Sequence, residues 1–111
     1  MDRETFEKER DRLNEIVLAH AGLPLKRLYN LDMRTYEEGA LPVRTKEMLG
    51  LVASLALRCD DCVTWHLLRC HELEVSTEEV VEALTVAAVV GGTITIPHLR
   101  RALETWDGLA S

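Results

Sequence analysis

Aromatic residues are scarce: one Phe, two Trp and two Tyr make up 5% of 111 residues. Leu, Val, Ile and Ala must therefore fill the core, which suits helices packed on helices. Positive charge is also short, with 13 Lys and Arg against 19 Asp and Glu and a net charge of −6. Nucleic acid and anionic membranes call for a concentrated basic surface. The pair Arg100-Arg101 is too small to supply one, so neither partner is expected. Long uncharged runs are missing too. The longest, Ala83 to Pro97, falls short of the roughly 20 residues that span a bilayer and is interrupted by Gly91-Gly92. The charged start from Met1 to Lys8 has no apolar signal core, and a cytoplasmic location is expected. With only three cysteines, an odd number in a reducing compartment, a structural disulfide framework is not expected. Redox catalysis, metal binding and inert burial are left.

What is present reads as one domain, 1–111, with 47% hydrophobic residues and a modest core that a partner subunit would help. From Asp2 to His20, apolar positions at Phe6, Leu13, Ile16 and Val17 give an amphipathic helix, stopped by Gly22 and Pro24. Leu25 to Tyr36 fits a short helix without a clear register. Gly39 and Pro42 mark a loop. The run Met48 to Leu57 is apolar all round, as expected of a helix buried in the core or at a subunit interface. Asp60 or a neighbour caps a helix through Cys62, His66 and Cys70. The Ser76-x-x-Glu79 capping box opens the next, which Gly91-Gly92 ends. Thr93-Ile94-Thr95-Ile96 is β-branched, yet Pro97 fits the first turn of a last helix, and the chain is expected to be all-α.

The chemistry is concentrated in Cys59-Asp60-Asp61-Cys62-Val63-Thr64-Trp65-His66. On a helix of about 100° per residue, Cys59, Cys62 and His66 share one face. A dithiol at a helix start reacts because unpaired N–H groups and the helix dipole stabilise a thiolate, and an imidazole nearby takes the thiol proton. Glu47 sits in the preceding helix and can orient or recharge His66 if the two helices pack antiparallel. Asp60 and Asp61 favour the helix start but repel a thiolate, so the thiol pKa is left open.

The pattern Glu47-x11-Cys59-x2-Cys62-x3-His66 resembles the signature of the alkylhydroperoxidase AhpD family, within the wider carboxymuconolactone decarboxylase-like group. Lys46 to Ser54, Leu57 to Cys62 and Gly91 to Arg101 are also similar to small single-domain members, and the likeness runs from about Asn30 onward. The resemblance implies an all-α AhpD-like bundle of about six helices, assembled as a homo-oligomer, often a trimer or hexamer. It further implies a peroxidase or thiol-disulfide oxidoreductase, with Cys59 and Cys62 as the redox pair and Glu47 and His66 as the proton relay. The substrate would be a peroxide or a disulfide partner, the reductant a dithiol of lipoyl-like kind, and no cofactor is called for. Some AhpD relays carry a second histidine between the cysteines; here Asp60 and Asp61 hold both positions.

Other uses of these residues are a redox-sensing oligomer, a zinc site from Cys59, Cys62, His66 and Cys70, or a lactone decarboxylase-like enzyme using His66 and Glu47. His98, beside Pro97, fits either a helix start or a wall of the site contributed by another helix or subunit.

Overall fold

The computed structural model describes residues 2–110. Six α-helices and one 3₁₀ turn account for the ordered elements, with no strand among the described residues. The residues group into two compact units that meet in sequence between Glu38 and Gly39.

The first unit holds α1 (Arg3–His20) and α2 (Leu23–Thr35). Asp2 caps α1 by accepting from the Thr5 N–H at 2.8 Å. Gly22 and Pro24, expected to stop this helix, also start the next: Gly22 is the N-cap of α2 and Pro24 lies in its first turn, where no N–H is missed. The Tyr29 hydroxyl donates to Asn14 Oδ1 at 3.1 Å and ties the two helices together.

The second unit holds α3 (Val43–Ala56), α4 (Asp60–Glu72), α5 (Thr77–Gly91), the 3₁₀ turn Thr93–Thr95 and α6 (Ile96–Ala110). Its core follows the helical period. Leu51 and Leu55 of α3 meet Val63, Leu67 and Cys70 of α4, Val80, Leu84 and Ala87 of α5, and Ala102 and Trp106 of α6. Trp106 is the one aromatic residue in this core, and its indole N–H is satisfied by Thr77 Oγ1 at 3.0 Å. The Ser76–Glu79 capping box forms in full at the start of α5. Gly91 ends that helix against α3: a Cβ there would stand 3.4 Å from Ala56 Cα and 2.6 Å from Thr95 Cγ2. The β-branched stretch turns as 3₁₀ because Gly92, at φ 81°, reverses the chain and Thr95 bonds back to the Gly92 carbonyl.

The apolar run Met48 to Leu57 divides in two. Leu51, Ser54 and Leu55 are buried, whereas Leu49 and neighbouring Leu57 are exposed. Val86, Val89, Val90 and Ile94 are exposed as well, Val89 by 79%. Among the described residues, no helix is long and apolar enough to cross a membrane.

Candidate functional site

The link from α3 to α4 is only Leu57-Arg58-Cys59, so the two helices form an αα-hairpin. Arg58 takes the left-handed conformation at φ 61°, usually a glycine position. It closes α3 with two bonds, Arg58 N–H to the Leu55 carbonyl at 2.9 Å and Cys59 N–H to the Ser54 carbonyl at 3.0 Å. Cys59 thereby ends one helix and begins the next. It is the N-cap of α4, and its sulfur accepts from the Cys62 N–H at 3.3 Å. The cap expected at Asp60 or its neighbour is this cysteine. Cys59 itself lies in extended backbone one residue before the helix, tied to it through the Cys62 N–H.

Cys59 and Cys62 are joined as a disulfide, with Cα atoms 5.3 Å apart. As a residue, Cys62 is exposed and Cys59 half-buried. One turn along α4 from Cys62, His66 lies in the buried stripe Val63, His66, Leu67, Cys70. Glu47 occupies the matching stripe of α3 with Leu51 and Ser54. The hairpin brings the two polar groups together: His66 Nδ1 and Glu47 Oε1 are 2.8 Å apart, and both residues are buried. The second carboxylate oxygen of Glu47 has Arg69 Nε at 3.6 Å.

Gly50 makes room for this contact. A Cβ at Gly50 would lie 2.5 to 2.9 Å from three atoms of the His66 ring. Neither Gly50 nor Arg69 was evident as a site residue from the pattern. The available signals were a small residue one turn after Glu47 and a cation three positions after His66.

Asp60, first residue of α4, is also engaged. Its Oδ1 is 2.7 Å from His98 Nδ1, and its Oδ2 accepts from Arg101 Nε at 2.9 Å. The His98 hydrogen bond, with help from Arg101, holds the Asp60 carboxyl below its ordinary value. His98 thus reaches the first residue of α4 from α6 of the same chain.

Cys70 stands apart. It is fully buried, and desolvation, followed by the nearby charge of Glu47, pushes its thiol up to about 12. The four-residue zinc set is not assembled: Cys59 lies off the helix, Cys62 faces solvent and Cys70 the core. Among the described residues, no three of His, Cys, Asp or Glu are arranged to hold a metal.

Comparison with known proteins places this geometry. The model of the carboxymuconolactone decarboxylase family matches residues 22–105. Two crystal structures of TM1620 from Thermotoga maritima superpose with TM-scores of 0.94 and 0.92 at 51% and 50% identity, covering 96% of this chain and 94% and 90% of theirs. TM1620 is described as a carboxymuconolactone decarboxylase family protein, and involvement in an antioxidative response has been suggested for it. A Legionella pneumophila protein of that family, lpg0406, shares the fold at a TM-score of 0.72 and 23% identity, with 97% of this chain and 89% of that one covered. An uncharacterised Cupriavidus necator protein, H16_B0147, is 27% identical over 73 residues, 66% of this chain, and the match spans 65% of that relative's length, just under two thirds.

Proposed function

The chain belongs to the carboxymuconolactone decarboxylase family, and from that premise we propose that it is a thiol-dependent oxidoreductase of AhpD-like type that reduces peroxides. The observation that carries the proposal is the Glu47–His66 pair, buried one helical turn from Cys62, itself an exposed residue.

In the dithiol form, His66 takes the proton of Cys62, and Glu47 stabilises the imidazolium that results. The Cys62 thiolate attacks the peroxide: a sulfur–oxygen bond forms, the oxygen–oxygen bond breaks, and the leaving alkoxide takes the proton from His66. Cys62 is then a sulfenic acid. Cys59 attacks that sulfur, water leaves, and the Cys59–Cys62 disulfide closes. The peroxide has gained two electrons and the thiol pair has lost two. A small dithiol, of the lipoyl kind, restores the pair by attacking the Cys62 sulfur. Cys59 leaves as a thiolate at a position where the Cys62 N–H already points at its sulfur.

Leu57, Val89 and Val90, each at least 75% exposed, support assembly of copies into a homo-oligomer, a trimer or hexamer by family resemblance. Sedimentation equilibrium reads the subunit number.

Thiol titration tests the chemistry. One equivalent of alkyl hydroperoxide should remove two thiols per chain. Cys62→Ser should lose none of its remaining thiols, and Cys59→Ser should stop at a sulfenic acid that dimedone traps. Retention of both thiols, with turnover of a lactone instead, would overturn the proposal in favour of a decarboxylase-like enzyme.

A further inference from the structure

The disulfide loop is tied to three helices. Its first residue, Cys59, is fixed to the end of α3 by its N–H, which donates to the Ser54 carbonyl at 3.0 Å, and to α4 by its carbonyl, which accepts from the Val63 N–H at 2.9 Å. The third tie is made by Asp60 and comes from α6. Asp60 Oδ1 is 2.7 Å from His98 Nδ1, and Oδ2 accepts from Arg101 Nε at 2.9 Å. A carboxylate only accepts, so both donors belong to α6. Arg101 Nη2 stands 3.2 Å from the same His98 nitrogen, which closes the three side chains into one cluster.

A carboxylate directly after Cys59 is a poor neighbour for a thiolate. Its contacts across 38 and 41 positions of sequence point to another use. We propose that Asp60 is a positioning residue of the Cys59–Cys62 loop: clamped by His98 and Arg101, it holds Cys59 where its sulfur closes on that of Cys62, and so favours the disulfide over the dithiol.

The loop holds only Asp60 and Asp61 between its cysteines. Cys62 is already inside α4, so closing the bond costs chiefly the freedom of the Cys59 end. A restraint present on that end before closure lowers the cost, as orientation does for any intramolecular reaction. Linkage is reciprocal: a disulfide that fixes Asp60 tightens its hold on α6 to the same degree. Asp60 and Arg101 side chains are 44% and 56% exposed, so solvent screens the clamp and its effect is modest.

Charge alone predicts a different pattern for the same residues. Loss of the Arg101 cation disfavours a thiolate, and the disulfide gains. Loss of the Asp60 charge favours a thiolate, and the disulfide loses. A clamp is weakened by either change, and the disulfide loses both times.

This inference rests on Cys59 and Cys62 being the redox pair, but its test needs no peroxide. The parent chain, Asp60→Asn, Arg101→Met and Asp61→Asn are equilibrated in buffers of reduced and oxidised dithiothreitol, alkylated, and their thiols counted by mass. In this exchange the sulfur–sulfur bond of the reagent breaks as that of Cys59–Cys62 forms, and the reagent gains the two electrons and two protons that the thiols lose. The equilibrium constant for closing the disulfide should fall about threefold in both Asp60→Asn and Arg101→Met, about 14 mV for a two-electron couple. It should not move in Asp61→Asn, an exposed neighbour outside the cluster. Shifts of opposite sign in Asp60→Asn and Arg101→Met would overturn the clamp in favour of charge alone. An unmoved constant, with urea stability lowered equally in the oxidised and reduced forms, would overturn it too and leave the cluster as a tie between α4 and α6. Parallel losses in a protein that cycles its thiols but consumes no peroxide would support the clamp and remove only the peroxidase assignment.

Discussion

Glu47 Oε1 stands 2.8 Å from His66 Nδ1 across 19 positions of sequence, with side chains 3% and 9% exposed. A carboxylate at that nitrogen holds the proton on Nδ1 and leaves Nε2 as the basic atom of the ring. Glu47→Gln keeps the shape and removes the charge that stabilises an imidazolium. Under the proposed mechanism, peroxide oxidation of the thiol pair should slow by on the order of 10- to 100-fold, a part of what a general base supplies. Stopped-flow thiol loss measures it, and an unchanged rate would remove Glu47 from the relay.

Gly50→Ala tests the same contact from the other side. Ala in mid-helix ordinarily gains about 0.5–1 kcal/mol over Gly. Here its Cβ would meet the His66 ring at 2.5 Å, and the ring is held by Glu47. Overpacking of this kind costs about 1–3 kcal/mol. The variant should be less stable in urea and slower with peroxide. A more stable protein would show that the ring can move aside.

The helices were legible because their signals are local. The capping box Ser76–Glu79, the Gly22 and Pro24 boundary and the Gly91-Gly92 stop each act within one turn, and each appears where expected. The pairing of Glu47 with His66 was legible only through spacing and family resemblance, since it depends on a three-residue link bending at Arg58. The Asp60–His98 contact spans 38 positions and depends on where α6 crosses α4. No periodicity encodes that crossing. Helix spacing likewise does not say that Arg58 in a left-handed turn makes Cys59 the cap, one residue outside the helix.

Thiol counting separates the disulfide pair, Cys59 and Cys62, from Cys70. Burial and the charge of Glu47 push the Cys70 thiol up to about 12, and no part of the residue reaches solvent. In the reduced native protein at mildly alkaline pH, an aromatic disulfide reagent should modify two of the three cysteines and reach the third only after denaturation. Cys70→Ala should still consume peroxide. Three thiols reacting at similar rates in the native state would contradict the burial.

Acid should weaken the protein through Glu79. This carboxylate is ion-paired to Arg44 of α3 and accepts from the Ser76 N–H at 3.0 Å, so it joins α5 to α3 as well as capping its own helix. The Arg44 hydrogen bond, then those from Ser76, lower its pKa from 4.5 to about 2. A carboxyl depressed on folding stabilises fully above its unfolded value. Its contribution therefore holds above 4.5 and is lost as pH falls toward about 2. Both side chains are 40% exposed, so the effect is modest and screened by salt. Glu79→Gln retains a residue suited to the capping box while removing the titration. Its melting temperature should fall less steeply than that of the parent across this pH range at low salt, and the two slopes should converge at high salt. Parallel slopes at low salt would place the acid sensitivity in other carboxylates, with Asp60 the next to substitute.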